Sequence, residues 1–245
     1  MIDTAVILAA GRGSRLKERT ADMPKGLLNV GNLKMIERSV RLLKDAGIKR
    51  IVVGTGYLAE KYNDFFSNDK TISCVKNHDF KKYGSMHTLY SLRDHINSDF
   101  LLLESDLLYE TRALTSLLQD RFQNAILASG FTKSGDECFI ESNNEKRLIN
   151  ISKNPALLKR VDAEFVGISK LTKLVLTKMC NFWLEKMNTE ENTEYETALV
   201  EASKHMDIYV NKVDDLVWCE IDDETHFNRA KNNILPLIKN KELND

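Results

Sequence analysis

An α/β architecture, a mostly parallel mixed sheet flanked by helices, is the fold class this sequence predicts, and three features predict it. Strand-like and helix-like segments alternate through the first half, the pattern of βαβ units. The first apolar run, TAVILAA, opens directly into LAAGRGSRLKERTADMPKG, a stretch rich in glycine and positive charge. Beyond about Ser134 the rhythm changes to paired strands and then helices, which makes the second part mixed. The 245 residues suit one large α/β unit with two halves sharing a sheet, about 1–133 and about 134–245.

The elements come in this order. TAVILAA reads as a buried strand, and MIERSVRLLKDAG as a helix with Ile36, Val40 and Leu43 on one face and a stop at Gly47. IKRIVVGTG is the next strand, YLAEKYNDFF a short helix and TISCV a third strand. SMHTLYSLRDHI, with Met86, Leu89, Leu92 and Ile96, reads as one helix, and DFLLLESD as a fourth strand. A helix near Arg112–Leu118 and the strand NAILASGFT close the first half. CFIES and KRLINISK look like paired strands about an Asn-rich turn, and EFVGISKL like one more. Helices at about Leu174–Met187 and Tyr195–His205, strands DIYVNK and LVWCEID, and a last helix from about Glu224 to Ile238 complete the chain.

Composition excludes several classes. Thirty-five basic against thirty-six acidic residues leave a net charge of −1, which gives no footprint for nucleic acid or an anionic membrane. No apolar run approaches the roughly 20 residues of a membrane helix, and the N-terminus has no signal-peptide pattern. Cys74, Cys138, Cys180 and Cys219 are scattered without metal or redox spacing, as in a reduced cytoplasmic protein.

In an open α/β sheet, ligands sit beyond the carboxyl ends of the strands. Gly11 and Gly13 come directly after the first strand, where missing side chains let backbone N–H groups approach an anion. Arg12, Arg15 and Lys25 add full charges that suit phosphate oxygens. A Walker loop is absent, and a dinucleotide fingerprint fails because Leu16 stands where the third small residue belongs.

The whole stretch, L-A-A-G-x-G-S-R-L with Pro24-Lys25 downstream, resembles the signature of nucleotidyltransferases that join an NTP to a phosphorylated small molecule. Glu18 departs from the sugar-nucleotide branch, where proline is common at that position. MPKGLL, IERSVRLL, TGYLAE, GSMHTLY, LLLESDLLYE and SGDE together resemble the 2-aminoethylphosphonate cytidylyltransferases. Bacterial phosphocholine cytidylyltransferases are close relatives of these, but they usually carry Asp-x-Asp where this chain has Glu104-Ser105-Asp106. The resemblance implies a Rossmann-like nucleotidyltransferase fold, CTP and an aminophosphonate as substrates, and Mg²⁺ as cofactor. It also implies a 2-aminoethylphosphonate transaminase as a functional or fused partner, with the polar NKELND end coming after the last helix. Phosphocholine or phosphoethanolamine as acceptor is the alternative; a sugar 1-phosphate, or nucleotide sensing without turnover, ranks below it.

Alternation puts Glu104 and Asp106 on one face at a strand end, and Glu220 and Asp222 repeat the arrangement. The resemblance makes Asp106 and Asp222 the metal ligands, with Glu220 a further candidate. It makes Lys25, Arg15 and Lys153 the cations that act on the phosphates, and it puts the nucleotide against Leu8, Ala9, Ala10, Gly11, Arg12, Gly13 and Ser14, the Gly84–Ser85 helix start, Glu104 and Asp106. Ser85 also suits a helix N-cap.

A primary ammonium has three N–H donors and wants carboxylates, whereas a quaternary ammonium is held on aromatic faces. Asp136, Glu137 and Glu196, with Tyr195 beside the last and Lys153 for the anionic end, are the expected acceptor residues, and the scarcity of aromatics around them favours the primary amine. Aromatics arriving from elsewhere would overturn that preference. Trp183 and Trp218 are expected in the core, and His87 and His226 in structural roles.

Overall fold

The computed structural model describes residues 2–243. In chain order the elements are β1 (Thr4–Ala9), β2 (Asn29–Val30), β3 (Leu33–Lys34), α1 (Met35–Asp45), β4 (Arg50–Thr55), α2 (Ala59–Phe66), β5 (Ile72–Lys76) and α3 (Ser85–Ser91). Next come β6 (Phe100–Glu104), β7 (Leu107–Tyr109), α4 (Arg112–Gln119), β8 (Ala125–Ser129), β9 (Phe139–Ser142), β10 (Leu148–Ser152) and β11 (Ala163–Leu171). The chain continues through α5 (Lys173–Lys186), α6 (Tyr195–Ser203), β12 (Tyr209–Val213), β13 (Trp218–Glu220), α7 (Glu224–Arg229) and α8 (Leu235–Glu242). Among the described residues no helix is long and apolar enough to cross a membrane.

A nine-stranded sheet runs through both halves in the order β10-β9-β11-β6-β1-β4-β5, with β8 also beside β11 and β12 outside β8. β4 and β6 flank β1, and both are parallel to it. The chain moves outward from β1 through β4 to β5, then returns to the other side of β1 as β6. That reversal opens a crevice at the carboxyl ends of β1 and β6, the place where such sheets bind ligands. β11 enters antiparallel between β6 and β8 and bends at a register shift between Phe165 and Ser169. Gly167 lies in that bend with φ 80.

Strand alternation sorts the core into two layers. Val6 and Leu8 of β1 face the cluster under α3, α5 and α6, while Ala5, Ile7 and Ala9 face the one under α1, α2 and α4. A smaller cluster, including Leu16, Leu108, Ile221 and Phe227, seats the C-terminal helices.

Several elements depart from the sequence reading. The signature stretch is wound into 3₁₀ turns at Ser14–Thr20 and Lys25–Leu27. The expected helix over SMHTLYSLRDHI is α3 and a separate 3₁₀ turn at Arg93–His95. The last helix continues through a π-helical turn at Ala230–Ile234 into α8 and so takes up the first residues of the expected polar end, whereas Asn244 and Asp245 lie outside the described residues. The short strands β2, β3 and β7 have too few residues to show a period.

Candidate active site

The acidic residues meet because two distant segments pair. β7 and β13 form an antiparallel ladder with Leu107 opposite Glu220, and the Ile221 amide donates to the Asp106 carbonyl at 3.1 Å. Asp106 and Asp222 thereby face Lys25, which stands on the 3₁₀ turn after Pro24. Lys25 Nζ lies 2.6 Å from Asp106 Oδ2 and 2.6 Å from Asp222 Oδ1. Arg15 extends the contact, with Nη2 at 2.8 Å from Asp222 Oδ2 and Nη1 at 3.0 Å from Asp136 Oδ2. Lys153 Nζ closes it at 3.1 Å from Asp136 Oδ1. Lys153, Asp136, Arg15, Asp222, Lys25 and Asp106 thus form one alternating chain of charge that crosses from the second half to the first.

Burial opposes the charge on Lys25, yet Asp106 and Asp222 outweigh it and hold the ammonium above its ordinary range. Burial likewise opposes ionisation of Asp222, and Lys25 reverses the balance so that its carboxyl is held well below the usual range. Glu104 and Glu220 behave oppositely. Burial raises both, and neighbouring carboxylates raise them further: Glu196 and Asp106 act on Glu104, Asp106 and Glu104 on Glu220.

Glu104, Asp106 and Glu220 can each offer a carboxylate oxygen within 4.8 Å of the others. Asp106 Oδ1 is shut away from solvent without a hydrogen-bond partner. An all-oxygen set of this kind, with an unpaired buried oxygen, fits a hard divalent cation such as Mg²⁺. Asp222, expected beside Asp106 as a ligand, is separated from it by Lys25, and it is Glu220 and Glu104 that group with Asp106.

Beside these acids lies a cavity of about 410 Å³ that runs from one half of the chain to the other. It is lined by Leu8, Ala10, Gly11, Arg15, Phe80, Tyr83, Gly84, Ser85 and Thr88 from the first half of the chain, and by Cys138, Lys153, Phe165, Val166, Gly167, Glu194, Tyr195, Glu196, Trp218 and Glu220 from the second. Glu104, Asp106 and Asp222 lie on the same wall system. Tyr195 donates its hydroxyl to Glu104 Oε1 at 2.6 Å. Glu196 Oε2 is buried with no partner, and burial pushes this carboxyl up to about 7.

Some expected site residues stand elsewhere. Ala9 points into the opposite core layer, as strand alternation requires. Arg12 is exposed, its guanidinium 5.5 Å from the centre of the Tyr57 ring. Ser14, Gly13 and Glu137 are absent from the cavity lining. Asp136, expected to receive an amine, is taken up by Arg15 and Lys153. Ser85 does not cap its own helix with its side chain; its hydroxyl accepts from the Tyr195 amide at 2.9 Å. The scarcity of aromatics is also corrected: Phe165, Tyr195 and Trp218 line the same cavity as Glu196. Trp218 is both buried and part of the lining, its indole N–H donating to Ser129 Oγ at 2.8 Å. Its place two residues before Glu220 was the available signal, since alternate strand residues share a face. Phe80 and Tyr83 were signalled only by closeness to Gly84. His87 and Trp183 are structural as expected, with the indole of Trp183 donating to His87 Nδ1 at 3.2 Å.

The MobA-like NTP transferase domain profile matches residues 5–163, about two thirds of the chain. The chain belongs to this family. A CTP:phosphoglutamine cytidylyltransferase of Campylobacter jejuni is 24% identical over 241 residues, covering 89% of this chain and 95% of that protein. A choline-phosphate cytidylyltransferase of Streptococcus pneumoniae is 28% identical over 118 residues, 48% of this chain and 51% of that protein. The alignments span about half the length of other curated relatives as well, 50% and 47% for two bifunctional GlmU proteins. The solved inositol-1-phosphate CTP transferase of T. maritima superposes with a TM-score of 0.79 at 20% identity, covering 95% of this chain and 98% of that one. The MobA-like NTP transferase profile ends at residue 163, before Tyr195, Glu196 and Glu220. Much of the cavity lining from the second half therefore comes from chain beyond the residues that the profile matches. Two of these relatives, those of Campylobacter jejuni and Streptococcus pneumoniae, are cytidylyltransferases named for small phosphate-bearing molecules.

Proposed function

We propose that the chain transfers CMP from CTP to 2-aminoethylphosphonate, releasing pyrophosphate, with the first half holding the nucleotide and the second half the acceptor. The observation that carries the acceptor class is Glu196, a carboxylate with a buried unpartnered oxygen in a cavity that the cations Arg15 and Lys153 also line. A molecule with an anionic head and a short ammonium tail complements both kinds of group.

An ionised phosphonate oxygen attacks the α-phosphorus, a new P–O bond forms, and the bond to the β-phosphate oxygen breaks in line. The phosphonate oxygen is already a nucleophile, so no side chain has to remove a proton. Lys25 and Arg15 neutralise the triphosphate as charge shifts toward pyrophosphate, and Lys153 steers the phosphonate. Asp106, with Glu104, Glu220 and Asp222 near it, would hold Mg²⁺, which when bound supplies further charge neutralisation between the anions.

Phosphocholine is the second reading, and the Phe165, Tyr195 and Trp218 walls favour it because aromatic faces hold quaternary ammonium groups. Pyrophosphate release from CTP and Mg²⁺ with 2-aminoethylphosphonate, phosphoethanolamine, phosphocholine and glucose 1-phosphate separates the readings. The expected result is preference for 2-aminoethylphosphonate, with Asp106→Asn reducing kcat by at least about a hundredfold. Preference for phosphocholine would transfer the acceptor assignment to the aromatic walls. Silence with all four would remove the catalytic reading.

A further inference from the structure

We infer that Glu194 is a positioning residue that ties the acceptor end of the cavity to its nucleotide end, an inference resting on the proposed transfer reaction. Residues 191–195 lie as a strap against the turn that opens α3. The Gly84 amide donates to the Glu191 carbonyl at 3.0 Å and the Met86 amide to the Thr193 carbonyl at 3.2 Å. Between them the Ser85 amide donates to Glu194 Oε2 at 3.0 Å, while Ser85 Oγ accepts from the Tyr195 amide at 2.9 Å. Three successive amides of the nucleotide-side turn are therefore satisfied by the strap. The approach is close enough that a Cβ on Gly84 would lie 2.5 Å from the Thr193 carbonyl oxygen.

The two residues after Glu194 give the strap its consequence. Tyr195 reaches Glu104 through its hydroxyl, and Glu196 turns an unpartnered oxygen inward. Both begin α6, so the direction in which α6 starts decides where these groups stand. Glu194 is the only side chain of the strap that bonds the Ser85 amide among the described residues, and it is a charged acceptor, which makes the stronger kind of hydrogen bond. Glu194 is exposed overall, whereas Thr193 and Tyr195 on either side are buried. It also lines the cavity, and the bond to the Ser85 amide fixes where its carboxylate stands. Loss of that bond loosens the start of α6, which the Glu191, Thr193 and Ser85 Oγ bonds still hold, and shifts Tyr195 and Glu196 relative to a nucleotide still held by Gly11, Gly84 and the cations.

The test compares the full-length wild type with Glu194→Ala, Glu194→Gln and Glu194→Asp by steady-state pyrophosphate release with CTP, Mg²⁺ and 2-aminoethylphosphonate. Glu194→Ala is expected to raise KM for the acceptor about tenfold and KM for CTP less than about twofold. Glu194→Gln, which keeps a carbonyl acceptor at the same reach, should restore most of the acceptor KM. Glu194→Asp keeps the charge but falls one methylene short, and it should show the same split as alanine, so the reading survives if the alanine variant does not fold. Parallel increases in both KM values, or an unchanged acceptor KM in folded Ala and Asp variants, would overturn the inference. If the wild type turns over phosphocholine instead, the same split is read with that acceptor. Wild-type silence with every acceptor overturns this inference together with the transfer reaction, whereas turnover without the split overturns this inference alone.

Discussion

His87 shows how one buried side chain couples the fold to pH. Burial lowers its affinity for a proton below the ordinary value of 6.5; Asp79 opposes that shift, and Arg93 and Lys82 add to it. The Trp183 indole occupies Nδ1 as an acceptor, which fits the neutral ring. The unfolded chain takes up this proton near its ordinary pKa, while the folded chain waits for a lower pH. The stabilisation is thus complete above about pH 6.5 and is lost as pH falls through the interval below it. The urea midpoint of the wild type should fall more than that of His87→Gln between about pH 7 and about pH 5, and equal slopes would contradict this. At this scale the sequence was uneven. Lys25, Asp106 and Lys153 were legible because each stands at a fixed place in a motif or at a strand end. The partnership of Lys25 with Asp222 spans 197 positions, and no local pattern encodes it. The pairing of Asp136 with Arg15 and Lys153 was hidden for a related reason, since a loop carboxylate declares its charge but not which cation will reach it.

Among the elements, β11 depends most on a single residue. Its bend lets one strand pair with β6, β8 and β9, and Gly167 makes the bend in a left-handed conformation. A Cβ there would also lie 2.8 Å from Glu104 Oε2. Gly167→Ala should cost about 1–2 kcal/mol from the backbone alone, with more from the displaced Glu104, and urea unfolding measures it. A stability change below about 0.5 kcal/mol would show that the bend tolerates a side chain. Periodicity exposed β1, β4, β6 and α1, whose apolar residues recur cleanly. It overran α3, because Met86, Leu89, Leu92 and Ile96 keep facing the core after the backbone has tightened into a 3₁₀ turn. Nor does any period reveal β7, or its pairing with β13 inside the expected strand LVWCEID, which exists only because the chain returns to its first half.

Across the whole molecule, β11 from the second half lies between β6 and β8 of the first, so neither half can complete its sheet alone. Unfolding in urea is therefore expected as one transition, with far-UV circular dichroism and tryptophan fluorescence coincident. Trp183 and Trp218 both report from the second half, so an earlier fluorescence transition would reveal independent halves. The same interleaving explains why the site's chemistry could be read from sequence while its shape could not. Charges announce themselves, but the aromatic walls of the cavity assemble from β11, α6 and β13 only once the sheet is closed. The alternating line of acids and bases from Lys153 to Asp106 also sets the terms on which any anion enters. Lys25, Arg15 and Lys153 are each paired with a carboxylate, so an anion that reaches them exchanges with Asp106, Asp222 or Asp136. Stray inorganic anions, offering one charge centre and no apolar or ammonium end, compete poorly in such an exchange. A ligand that replaces several carboxylates at once, and recruits a cation to hold those it displaces, competes well. Under the proposed reaction, that resting charge pattern favours an extended, metal-accompanied polyanion.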